Sequence, residues 1–350
     1  MRASSAMSGA PPARRHGIGW RLVPFCLAAA FLSVPSAAPT AADPPATAVV
    51  MTPGGAERAG LKAALTRREV GDQVLLEALL PSPRGQERSI SEGLRLLAAT
   101  ADGTRIASTD SIGGLAASVA IQGPDGAVAV RQLPGVVAAQ FIADGSALLA
   151  IDTSGALWRI ASASAEGSII APGPFDGPIT LEASGTMLLR RVSSVEAPFS
   201  AHLVRFDPAT AAATSLAGDG LVYSAHPLSD GSLAVVAHRV GGATTVSRLT
   251  ADGASSPIAE LGSAAIAVDV AKDARIAFEI AGDGVYLLEP GAAKAHRLGA
   301  GCAPVFSPSG RELLVRQGGG ASVLGLDGSV LARTDTSNST WIACGEGCGS

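Results

Sequence analysis

Aromatic side chains are scarce in this 350-residue chain, with eight Phe, three Trp and two Tyr. Tyr223, Tyr286, Trp158 and Trp341 are too few to line a sugar-binding or quinone-stacking platform, so they are expected in the core or at its rim. Charged residues are also few, at 16% against 47% hydrophobic, a balance that supplies a core and excludes wholesale disorder. With Asn338 as its single Asn, the chain is poorly equipped for the carboxylate and amide clusters that calcium needs. The histidines beyond residue 42 are His202, His226, His238 and His296; none lie at metal-ligand spacing, and HExxH does not occur. A G-x-S-x-G elbow and a phosphate-cradling strand-to-helix loop are absent too. No metal and no cofactor is therefore expected.

The start of the chain has no acid before Asp43 but carries Arg2, Arg14, Arg15 and Arg21. The apolar run Leu22 to Val34 follows, then small residues from Pro35 to Ala42. This is the three-part pattern of a secretory signal peptide, expected over residues 1–42 with cleavage after Ala38 or Ala42. Thirteen apolar residues fall short of the roughly 20 that a membrane-crossing helix requires, so no span is expected after cleavage. Cys26 follows Val23-Pro24-Phe25 and lacks the small residues of a lipid-attachment site. An extracytoplasmic location results: periplasm, cell surface or medium.

Beyond residue 42 there are 22 basic against 30 acidic residues, a formal charge of −8. Nucleic acid and anionic membrane demand clustered Lys and Arg, and neither is expected as the partner. Three cysteines remain, Cys302, Cys344 and Cys348. In an oxidising compartment Cys344 and Cys348 form the candidate disulfide, although Cys302 pairing with either one stays open, and one thiol is left over.

Glycine and proline, at 42 and 22 residues, mark many turns between short apolar runs. The turns recur. Ala101-Asp102-Gly103, Ala143-Asp144-Gly145, Ala183-Ser184-Gly185, Ser229-Asp230-Gly231, Lys272-Asp273-Ala274 and Pro308-Ser309-Gly310 follow one another at steps of 42, 40, 46, 43 and 36 residues. A second turn, at Asp125, Glu166, Asp207, Asp252, Pro290 and Asp327, trails the first by 17 to 23 residues. That period suits a four-stranded sheet repeated around an axis, because one such sheet cannot bury its own two apolar faces. Each Asp-Gly is expected to close a two-residue hairpin. The fold class is all-β, a β-propeller of six or seven four-stranded blades. Residues 93–350 make the propeller. Residues 43–92 either join Ser339 to Ala343 in a closing blade or extend six blades; within them Ala46 to Met51 and Gln73 to Leu80 are expected as strands and Glu57 to Arg68 as a short helix.

The stretch Phe306-Ser307-Pro308-Ser309-Gly310-Arg311-Glu312-Leu313-Leu314 resembles the F-S-P-D-G repeat of the WD40-like propellers in TolB-type bacterial proteins. The resemblance covers roughly residues 93 to 335; only Pro308 matches the motif's proline, and the terminal Trp-Asp of eukaryotic WD40 repeats is missing. It implies architecture and leaves function open, since such repeats serve binding proteins, peptidase lid domains and lyases alike.

If the repeats are equivalent, residues just past each second strand emerge on one face near the channel rim. Asp110, Asp152, Arg191, His238, Glu279 and Arg316 hold those positions, with Arg239 and Trp158 nearby. They are the candidate binding residues of a monomeric, non-enzymatic scaffold for a protein or peptide partner. The alternative is a hydrolase or lyase at the channel mouth, with Asp110, Asp152 or Glu279 as its acid. A third is a sensor held on the membrane by an uncleaved Leu22 to Val34 segment. Intact-mass spectrometry of the exported protein should find a chain beginning after Ala38 or Ala42; a mass that retains residues 1–38 would favour the membrane-held sensor.

Overall fold

The computed structural model describes residues 50–51, 64–70, 73–79, 95–182, 184–193, 201–216, 221–238, 242–334 and 339–342. Every regular element among them is a strand, and no helix there is long and apolar enough to cross a membrane. The expected signal segment, Cys26, Arg239, Asn338, Cys344 and Cys348 lie outside the described residues. Cys302 is half-buried, and its thiol is free among the described residues.

Six antiparallel sheets of four strands follow one another along the chain. They span residues 95–133, 138–171, 175–215, 221–262, 265–299 and 302–334, and are called sheets I to VI. In each, sequence order is spatial order, as consecutive hairpins dictate. Sheet I gains a short parallel strand, Val50–Met51, on Val128–Leu133, and sheets III and IV touch through one parallel pair, Ala201 with Leu221. A three-stranded terminal sheet joins Ala64–Val70, Gln73–Leu79 and Ser339–Ile342 from the two ends of the sequence.

The expected helix over Glu57 to Arg68 is corrected in its described part. Ala64–Val70 is a strand laddered to Gln73–Leu79, with Val70 opposite Gln73. Alanine and leucine are good helix formers, but intrinsic propensity is worth only tenths of a kcal/mol per residue and pairing with an apolar neighbouring strand overrides it.

The second strand of each sheet explains why the sheets sit side by side. Ala147–Ile151 is buried along its whole length. Its side chains alternate in direction. Leu148 and Ala150 pack with Ala107, Val119 and Ile121 of sheet I, while Leu149 and Ile151 pack with Phe175, Met187 and Phe206 of sheet III. Further shared clusters join sheets III with IV, IV with V, and V with VI. The terminal sheet follows the same rule: Leu75 packs with Leu314 and Val323 of sheet VI, and Val74 and Leu76 pack with Ile106 of sheet I.

The recurring turn proves to be a longer hairpin than expected. Its closing bonds, such as Thr100 N–H to Arg105 C=O (3.0 Å) and Leu228 N–H to Ser232 C=O (2.9 Å), enclose loops of three or four residues. The Asp is not a positive-φ residue. It accepts the N–H two residues on, as Asp102 does from Thr104 (3.0 Å), Asp144 from Ser146 (2.9 Å) and Asp230 from Ser232 (3.0 Å). Ser184 and Ser309 do the same with their hydroxyls. The following Gly alone takes positive φ, from 64° at Gly103 to 85° at Gly185. In the fifth repeat Ala274 occupies that place at φ 68°.

Two outcomes follow from these turns. Ala274→Gly should raise stability by about 1 kcal/mol, because a Cβ is penalised in the left-handed region by roughly that amount. Urea unfolding measures this, and an unchanged or lowered midpoint contradicts the strain. Asp144 is held below the usual carboxylate range first by the Ser146 N–H, Asp230 and Asp327 first by the Ser232 and Ser329 hydroxyls. A carboxyl whose pKa falls on folding stabilises fully above its unfolded value, near 3.9, and that contribution is lost as pH drops through the folded value. Thermal midpoints should therefore fall below about pH 4. The combined Asp144→Asn, Asp230→Asn, Asp327→Asn variant should lose part of that acid limb; an identical limb in the variant assigns it elsewhere.

Candidate functional site

The register of each sheet identifies which positions are equivalent. The first residue of each inner strand lies opposite one residue of the second strand: Arg95 with Thr109, Ala138 with Ile151, Phe175 with Arg191, Leu221 with His238, Ala265 with Ile280 and Cys302 with Arg316. Three of the predicted residues, Arg191, His238 and Arg316, therefore share one structural position at the same end of three sheets. Arg191 and Arg316 are exposed, and His238 is half-buried.

The other predicted residues fall out of step. Asp110 and Asp152 come one residue later and Glu279 one earlier, and in a strand a single step turns the side chain to the opposite face. Arg191, His238, Glu279 and Arg316 also lie inside their strands instead of beyond them, since the ladders run to the first residue of the inner strand. Asp152 is buried and accepts from the N–H groups of Ser154 (2.8 Å) and Ala156 (3.0 Å), the Ser154 hydroxyl (2.6 Å) and Trp158 Nε1 (2.8 Å). Trp158 in turn lies under the Arg131 guanidinium, 5.5 Å from its ring centre, between sheets I and II. Asp110 accepts the Ser118 N–H at 2.8 Å, and Glu279, also buried, accepts the Ala303 N–H of the next sheet at 3.1 Å.

Two features of this end and of the inner strands carry no local sequence motif. The loop after Ile106–Thr109 holds Ile112, 47% exposed, and Leu115, 96% exposed. Its base is fixed, because Gly113 N–H donates to Val136 C=O (2.9 Å) and the Thr109 hydroxyl donates to Ser111 C=O (3.0 Å). A large apolar side chain on an anchored tip is a signal that composition hides.

The second feature is a polar chain that crosses sheets III to VI. Asp176 pairs with Arg190, whose guanidinium lies 5.7 Å from the Tyr223 ring centre; Tyr223 meets His238 edge to face at 6.1 Å. On the same inner strand, Leu221–Pro227, Ser224 Oγ lies 2.9 Å from His226 Nε2. His226 Nδ1 lies 3.1 Å from Asp269 Oδ1 in sheet V, and Asp269 Oδ2 accepts the Phe306 N–H of sheet VI at 2.7 Å. A cavity of about 390 Å³ lies apart from both features, between Ser255–Gly262 and sheet V, with Glu260 and Glu289 among its lining residues.

No family model matches the chain, and no curated protein does. Solved structures do. TolB from Acinetobacter baumannii is 15% identical with a TM-score of 0.52, covering 81% of this chain and 82% of its own. An oligogalacturonate lyase from Vibrio parahaemolyticus is 12% identical with a TM-score of 0.52, over 78% of this chain and 84% of its own. A prolyl endopeptidase is 11% identical with a TM-score of 0.56, over 80% of this chain, which spans only 50% of that larger protein. At such identities the likeness is one of fold, and the chain is an all-β protein with the TolB-type propeller fold.

Proposed function

We propose that the chain is an extracytoplasmic scaffold that holds a protein or peptide through the end of the propeller bearing Leu115, Arg191, His238 and Arg316. In this proposal the terminal sheet is the closing blade, so residues 64–79 and 339–342 belong to the propeller and residues 1–42 are removed on export. The anchored loop that exposes Leu115 is the observation that carries the proposal. Leu115, 96% exposed, and Ile112, 47% exposed, sit on one loop of fixed base, and an apolar tip already held in place loses little freedom when a partner buries it. Two exposed arginines at equivalent positions at the same end of sheets III and VI favour a segment that carries both apolar and acidic residues. Asp110, Asp152 and Glu279 have carboxylate oxygens engaged by backbone or side-chain donors, which supports a role in bracing this end over one as the acid of a hydrolase or lyase.

The test uses the purified full chain and an envelope fraction. A partner retained by wild type should be lost from Leu115→Glu, with affinity down about tenfold or more, the scale of an interface centre. Arg191→Ala with Arg316→Ala should weaken it further, more so at low salt, where screening is least. Equal retention by all three proteins, each with an unchanged thermal midpoint, overturns the proposal.

A further inference from the structure

We infer that Ser224, His226 and Asp269 form a nucleophilic serine site on the inner strands, able to cleave a carboxylic ester. Its chemistry is separate from the binding end. Ser224 and His226 are two residues apart in a strand and so project from the same side. The neighbouring strand Ala265–Val270 brings Asp269 to the far side of the imidazole.

The protonation pattern is dictated by the partners. A carboxylate only accepts, so the nitrogen facing Asp269, Nδ1 at 3.1 Å, carries the proton. That leaves the Nε2 lone pair directed at Ser224, whose hydroxyl donates across 2.9 Å. Ser224 and His226 are in hydrogen-bond contact and Asp269 stands at ion-pair distance behind the imidazole, the order that acyl-transfer catalysis uses, recognised by geometry and not by chain position. Asp269 is itself steadied by the Phe306 N–H at 2.7 Å.

A purely architectural role accounts for only part of this. His226 to Asp269 ties sheet IV to V, and Asp269 to Phe306 ties V to VI. The Ser224 contact lies within one strand and ties nothing together. Access is present, since the side chains of His226 and Asp269 are 19% and 21% exposed and Ser224 is half-buried. Beyond Leu221 the outer edge of this strand has no strand partner among the described residues, which leaves room for a substrate alongside it.

In the reaction, Ser224 Oγ bonds to the carbonyl carbon while its proton passes to His226 Nε2 and the carbonyl electron pair moves to oxygen. Collapse breaks the bond to the alcohol, which leaves with the proton from Nε2. Water then attacks the acyl-serine, gives a proton to Nε2, and the departing Ser224 Oγ recovers it, so ester plus water yields acid plus alcohol. Ser224 and His226 are the catalytic residues; Asp269 is a positioning residue.

A phosphonofluoridate probe tests the site on the full chain. The Oγ–P bond forms, P–F breaks, and the hydroxyl proton leaves through Nε2 with fluoride. Peptide mass spectrometry should place the phosphonyl group on Ser224. Ser224→Ala should abolish that adduct, His226→Ala should reduce its rate at least a hundredfold, and Asp269→Asn at least tenfold per folded molecule. Folding is monitored by thermal unfolding, and p-nitrophenyl butyrate hydrolysis should fall in parallel. A folded wild-type protein with no adduct at Ser224, or labelling at the wild-type rate in folded His226→Ala, overturns the inference. Lowered thermal midpoints with unaltered labelling in Asp269→Asn would assign Asp269 to architecture alone and overturn the triad.

Discussion

A four-stranded sheet whose second strand is oily on both sides cannot exist alone in water. Leu148 and Leu149 are adjacent in sequence, yet they are buried in different clusters on opposite faces of one sheet. That alternation obliges every sheet to find a neighbour on each side, and sheets I to VI satisfy one another in series. The end sheets of the series would each keep one apolar face wet. Leu75 and Leu76 answer that need from a single strand, one turned to sheet VI and the other to sheet I. Segments 73–79 and 339–342 pair in the terminal sheet, where the Gln73–Leu79 strand buries apolar side chains against both neighbours.

Polar groups then refine what apolar packing brings together. Inner strands lie at the sheet edge, where backbone donors lack a ladder partner, and acidic side chains from the preceding sheet supply acceptors. Glu279 does this for Ala303 and Asp269 for Phe306. Arg190 performs the reverse, donating to the Val222 carbonyl of the next sheet at 3.4 Å. Such links place charged and polar groups along the inner strands, while Leu115 stands on a loop and Arg191 and Arg316 near the ends of second strands.

The turns show how a correct pattern can rest on a different mechanism. Asp-Gly recurs because the loop wants a side-chain acceptor followed by a residue tolerant of positive φ, a division of labour that Ser184 and Ser309 share and that Ala274 strains. A two-residue turn of type I′, the one Asp-Gly suits, would demand positive φ from both. The terminal segment shows the opposite lesson: the helix-favouring composition before Arg68 yielded to a partner strand, which no local window contains.

The period of turns and short apolar runs along the chain was enough to determine an all-β fold, the placement of six hairpin turns and the existence of repeating sheets, because turn chemistry and apolar runs are local properties. The candidate binding residues were legible only as positions: Arg191, His238 and Arg316 share a register, whereas Asp110, Asp152 and Glu279 miss it by one residue, and one residue reverses a strand side chain. The exposed Leu115 and the contact of Ser224 and His226 with Asp269 were decided by tertiary structure alone. Exposure depends on which neighbours arrive, and 43 residues separate His226 from Asp269 until adjacent sheets pack their apolar faces and carry the two inner strands side by side.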